Sequence, residues 1–137
     1  MDSEPDVRSS GAGGRGETIL VVHDQPDARD VIAGMLAEGG YRVLEASSGP
    51  EAIGHLRWSR QKISLVLTEA ALPGMSGAAL AGHIRRFESG TPILFCCGDS
   101  EVIDAAAAGP ARVVKKPVEP ATLLKTVREL LDVPPAP

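Results

Sequence analysis

Apolar positions in this chain follow two alternating patterns. Short continuous runs occur at Thr18–Val22, Tyr41–Ala46, Ile63–Leu67, Pro92–Cys96 and Val113–Val114. Runs this short, bounded by turn residues, predict strands buried on both faces. Between them the spacing becomes helical. Ala28, Val31, Ile32, Met35 and Leu36 make one apolar face of a helix opened by Pro26 and stopped by Gly39 and Gly40. Ser47 to Pro50 begin a second helix carrying Ala52, Ile53 and Leu56. Ser76 is placed to cap a third, with Leu80, Ile84 and Phe87 on one face. A short Ala-rich helix is predicted over Ser100–Ala108. Pro120 opens the last, whose face is Leu123, Leu124, Val127, Leu130 and Leu131. Strands alternating with helices predict an α/β fold, a single parallel sheet covered on both faces.

A length of 137 residues fits one domain. Residues 17–132 carry the pattern. Met1–Gly16, rich in Gly, Ser and charge, is expected to be a disordered tail, and Val133–Pro137 a Pro-rich one. Gly11, Gly13 and Gly16 spell a G-x-G-x-x-G, but it precedes the first strand, so a nucleotide-binding reading fails. A net charge of −4 and a pI near 5.3 argue against a nucleic-acid-binding surface. No apolar run approaches the ~18 residues of a membrane span. The polar, acidic N-terminus does not read as a signal peptide. Cys96 and Cys97 are adjacent and form no disulfide framework. A cytoplasmic protein is expected.

The chemistry concentrates where the central run ends. Glu69 stands at the C-terminal end of the Ile63 strand, followed by a loop through Leu72, Pro73, Gly74, Met75, Ser76 and Gly77. Open α/β sheets place ligand sites at that edge. A carboxylate, two residues, then an apolar residue and Pro-Gly resembles the phosphorylation loop of the response-regulator receiver family, with Glu69 at the phosphoacceptor aspartate's position. The resemblance runs from about Thr18 to Leu131. It implies a doubly wound, flavodoxin-like sheet of order 2-1-3-4-5, bringing together His23 and Asp24, Glu69, Cys97 and Lys116. It also implies a Mg²⁺ site at His23, Asp24, Glu69 and the Ala71 carbonyl, and a cis bond between Lys116 and Pro117.

Several positions depart from that pattern. His23 replaces an acid, and imidazole suits Mg²⁺ poorly, so Mg²⁺ binding should be weak or absent. Zn²⁺, Mn²⁺ or Ni²⁺ would be better matched. Glu69 is one methylene too long for in-line displacement but long enough to meet Lys116, as a built-in imitation of the activated state; the competing reading is an inert residue. Cys97 stands where the family has Thr or Ser, and Val113 where it has an aromatic switch residue. The Cys97–Lys116 segment is about one helical turn short.

The expectation is a stand-alone, atypical receiver in two-component phosphorelay signalling. It is not an enzyme and needs no cofactor. It would act by contact with a histidine kinase, a phosphotransfer protein, another signalling protein or a second copy, with neither nucleic acid nor membrane as partner. The alternatives are a metal- or redox-responsive sensor using His23, Asp24, Glu69 and Cys97, and a conventionally phosphorylated regulator with an unusual acceptor. Trp58, near the end of the second helix with Arg57 and Arg60, is expected to close the helix end over the core, the alternative being an anchor for a binding partner, and His55 and His83 are expected to face solvent.

Overall fold

A computed structural model describes residues 14–87, 90–98 and 111–132. The elements in chain order are β1 (Thr18–Val22), α1 (Pro26–Glu38), β2 (Arg42–Ala46), α2 (Gly49–Trp58), β3 (Ile63–Glu69), α3 (Gly77–Phe87), β4 (Ile93–Cys97), β5 (Ala111–Lys115) and α4 (Pro120–Leu131). All strand pairs are parallel, in the order β2-β1-β3-β4-β5. This is the doubly wound, flavodoxin-like order 2-1-3-4-5, with its switch point between β1 and β3. Four helices lie among the described residues. The Ser100–Ala108 helix expected from sequence falls outside them.

Side chains of a strand alternate between faces, and this sheet buries both. On one face Ile19, Val21, Leu65, Leu67 and Leu94 pack under α1 and α4. On the other Leu20, Val22, Val66, Ile93 and Phe95 pack under α2 and α3. The inner strands β1 and β4 are buried throughout, whereas the edge strands β2 and β5 are only partly buried. Three strand boundaries move. Tyr41 is buried but precedes β2, β4 runs on to Cys97, and β5 extends over Ala111–Lys115. β5 looked shorter because most of this edge strand meets water, Arg112, Val113 and Lys115 being exposed.

Local chemistry fixes the helix starts. Pro26 and Pro120 occupy first-turn positions, where the missing N–H costs nothing. The Ser48 hydroxyl accepts the Glu51 N–H at 3.2 Å, while the Glu51 carboxylate accepts the Ser47 N–H at 2.7 Å. These reciprocal bonds set the start of α2. Ser76 accepts the Ala79 N–H at 3.0 Å, the cap expected from sequence. Gly14 and Gly16, read as the end of a tail, donate backbone N–H bonds to the carbonyls of Gly39 and Gly40, both at 3.0 Å.

One glycine holds the loop after β3 against the sheet. The Gly77 N–H donates to the Ala70 carbonyl at 2.9 Å. A Cβ at Gly77 would lie 2.7 Å from the Glu69 carbonyl oxygen, closer than atoms can approach. Gly77→Ala should therefore push α3 from the end of β3, costing about 1–3 kcal/mol as overpacked sites do. Urea unfolding checks this; a wild-type midpoint would show that the loop gives way freely.

Candidate functional site

Strand register builds the site. Val22 pairs with Thr68, so His23 and Glu69 follow one residue beyond the last paired positions of β1 and β3. Period-two alternation puts both on the face of Val21 and Leu67. Glu69 is also the register partner of Cys96 in β4. The Lys116 N–H donates to the Cys97 carbonyl at 3.0 Å, bringing the residue after β5 to the same edge. The Lys116–Pro117 bond is cis.

Glu69 is 5% exposed and His23 6%. The Lys116 ammonium donates to Glu69 Oε2 and pairs with it directly. Glu69 Oε1 is buried and makes no hydrogen bond among the described residues. His23 Nε2 lies 3.6 Å from it, too far for a hydrogen bond but close enough for electrostatic contact. The Gln25 N–H donates to His23 Nδ1 at 3.1 Å. That assigns the neutral imidazole's proton to Nε2, the nitrogen facing Glu69. Arg29 fixes the residue from behind, donating to the His23 carbonyl at 2.9 Å and pairing with Glu45 at 3.0 Å.

Asp24 sits at the rim, its carboxylate 3.6 Å from His23 Nδ1. Ala71 is exposed. Among the described residues no group of three or more His, Cys, Asp or Glu is placed to hold a metal ion. Mg²⁺ requires hard oxygen donors in near-octahedral geometry. Here one carboxylate oxygen is taken by an ammonium and the other faces an imidazole N–H. This donor set does not fit Mg²⁺.

His23 is not a solvated residue beside two acids: parity carries it inward beneath α1. An exposed Glu69–Lys116 pair would stabilise little, but here the carboxylate is buried. Cys97 is also buried. Cys96, on the same face as Glu69, was not foreseen as part of this environment. Burial, with the Glu69 charge beside it, pushes its thiol up to about 12. Val113 is exposed on β5. A cavity of about 450 Å³ opens beside the site, walled by Ala28, Val31, Ile32 and Met35 of α1 and by Pro117 and Val118.

Trp58 is 80% exposed rather than folded over the core. Ala52 is buried and Leu56 half-buried, and Trp58, two residues beyond Leu56, lies about 200° round the helix. His83 is exposed, as expected, and His55 is half-exposed, 3.9 Å from Glu51.

The fold matches the receiver pattern, and comparison with known proteins shows the family. The response regulator receiver domain matches residues 19–128. The chain belongs to the response-regulator receiver family of two-component signalling. It is 33% identical over 116 residues to an uncharacterized 14.6 kDa protein of Leptolyngbya boryana, covering 81% of this chain and 87% of that one. It is 32% identical to the phosphate regulon transcriptional regulatory protein PhoB of Pseudomonas aeruginosa, covering 85% of this chain and 52% of PhoB. It spans only 26% of the transcriptional regulatory protein GlrR of Escherichia coli. A putative response regulator from Chloroflexus aurantiacus superposes with a TM-score of 0.79 at 26% identity, covering 87% of this chain and 100% of that one. Domains of this family interact with histidine kinases and other signalling proteins. No helix among the described residues is long and apolar enough to cross a membrane.

Both thiols are buried, and the Cys96 thiol stays protonated far above neutral pH. The thiolate is the reactive form. Iodoacetamide at mildly alkaline pH should therefore leave both unmodified in the folded protein and label both after denaturation, as read by intact mass. Rapid native labelling would restore the redox reading.

Proposed function

We propose that this receiver works as a binding module without a phosphorylation cycle, its switch position held by Glu69 and Lys116. The observation that carries this is the direct contact of the buried Glu69 carboxylate with the Lys116 ammonium. In the family's chemistry Lys116 would meet an incoming phosphoryl oxygen. Here a carboxylate one methylene longer than aspartate already occupies that partner. In-line displacement tolerates little misplacement; ~1 Å costs about 10²-fold. Cys97 offers only a weak S–H donor where a hydroxyl would hold the phosphoryl group. Val113 supplies no aromatic ring.

The module would act by contact with a histidine kinase, a phosphotransfer protein or another signalling protein, or by pairing with a second copy. It would carry no catalytic residue and need no bound metal. Mg²⁺ binding is expected to be weak or absent at His23, Asp24, Glu69 and Ala71.

Incubation with acetyl phosphate, with and without Mg²⁺, should add no phosphate to the intact mass. A gain of one phosphate, mapped to Glu69, would overturn the proposal. The chemistry should return in steps. Glu69→Asp alone should label poorly, because His23 still faces the acceptor. Glu69→Asp with His23→Asp should label well and bind Mg²⁺ in calorimetry. Equal labelling of the single and double variants would show that His23 is not limiting.

A further inference from the structure

The chain carries a net charge of −4, yet its charges are unevenly distributed. From Ala52 to Phe87 there are five Lys and Arg residues and a single carboxylate, Glu69. That carboxylate is buried and paired at the opposite, C-terminal edge of the sheet. The end of α2 and the turn into β3 are therefore basic, with Arg57, Arg60 and Lys62 close together in the chain.

Trp58 stands in this basic region, on the last residue of α2 and 80% exposed. The Arg57 guanidinium lies over its ring, 6.0 Å from the centroid. At the turn that follows α2 a recess of about 220 Å³ has Leu56 and Ile63 among its apolar lining and Arg60 and Lys62 among its polar lining. Three other arginines pair with carboxylates: Arg29 with Glu45, Arg112 with Glu129, and Arg128 with Glu17 and Asp132. Among the described residues Arg57, Arg60 and Lys62 form no ion pair.

We propose that this corner of α2 is a docking site for an acidic protein segment carrying an apolar anchor residue. The anchor would cover Trp58 or enter the recess, and flanking carboxylates would meet Arg57, Arg60 and Lys62. An exposed Trp beside Arg is the composition of an interface hot spot, and opposite charge steers such a partner to it. A nucleic acid fits less well. Single strands need a run of aromatic platforms along a basic groove, whereas this site has one ring and the molecule as a whole repels polyanions. The site lies at the edge opposite Glu69, so it works whether or not the Glu69–Lys116 reading holds.

Trp58 is the chain's single tryptophan, so its emission reports this site alone. The probe is a short fluorescein-labelled peptide of glutamates interspersed with leucines, with single-stranded oligo-dT as the competing polyanion. The peptide should shift Trp58 emission to the blue, bind more weakly as salt rises, and leave oligo-dT without effect. Arg60→Ala with Lys62→Ala, confirmed folded by circular dichroism, should weaken binding about tenfold, as should Trp58→Ala read by peptide anisotropy. The proposal is overturned by no binding, by binding indifferent to these variants, or by preference for oligo-dT. Sedimentation showing self-association lost in Trp58→Ala would also overturn it, assigning the surface to a second copy.

Discussion

A carboxylate buried at the end of a central strand sets the terms for everything around it. Leaving an ionised group unpaired in such a place is costly. Glu69 therefore requires Lys116, and Lys116 is brought to it by its backbone bond to the Cys97 carbonyl. His23 closes the remaining side, its imidazole aimed at the second carboxylate oxygen by the Gln25 N–H. One ammonium, one imidazole and one buried carboxylate meet at this strand edge, with the Asp24 carboxylate at the rim.

The two ends of the sheet do different things. At the C-terminal edge charge is concentrated and paired, with the Glu69 carboxylate buried. At the other edge β3 begins beside Arg60, Lys62 and the exposed Trp58, where charge is unpaired among the described residues and an aromatic face meets water. The rigid layers between the two edges, with both faces of β1, β3 and β4 packed, hold them apart.

Much of this was legible in the sequence, for physical reasons. Fully buried strands read as continuous apolar runs, so β1, β3 and β4 were visible to within a residue or so. β5 was not, because most of this edge strand meets water. The gathering of His23, Glu69 and Lys116 followed from strand ends and the family's topology. Burial of His23 was missed, although its two-residue spacing from Val21 carries the signal. Trp58 was read as covering the core because large aromatics usually do. Counting round the helix from Leu56 turns it outward. The Lys116 contact was an open alternative from sequence, since reach alone does not fix a rotamer.

The most direct test is a double-mutant cycle on Glu69→Gln and Lys116→Met, measured by urea unfolding. The account predicts that the two changes are coupled by about 1 kcal/mol or more, because each single variant leaves the other group without its partner. The exposure of the lysine side chain limits the value. Additive effects, agreeing within ~0.5 kcal/mol, would mean that Glu69 and Lys116 do not hold one another and would contradict the account.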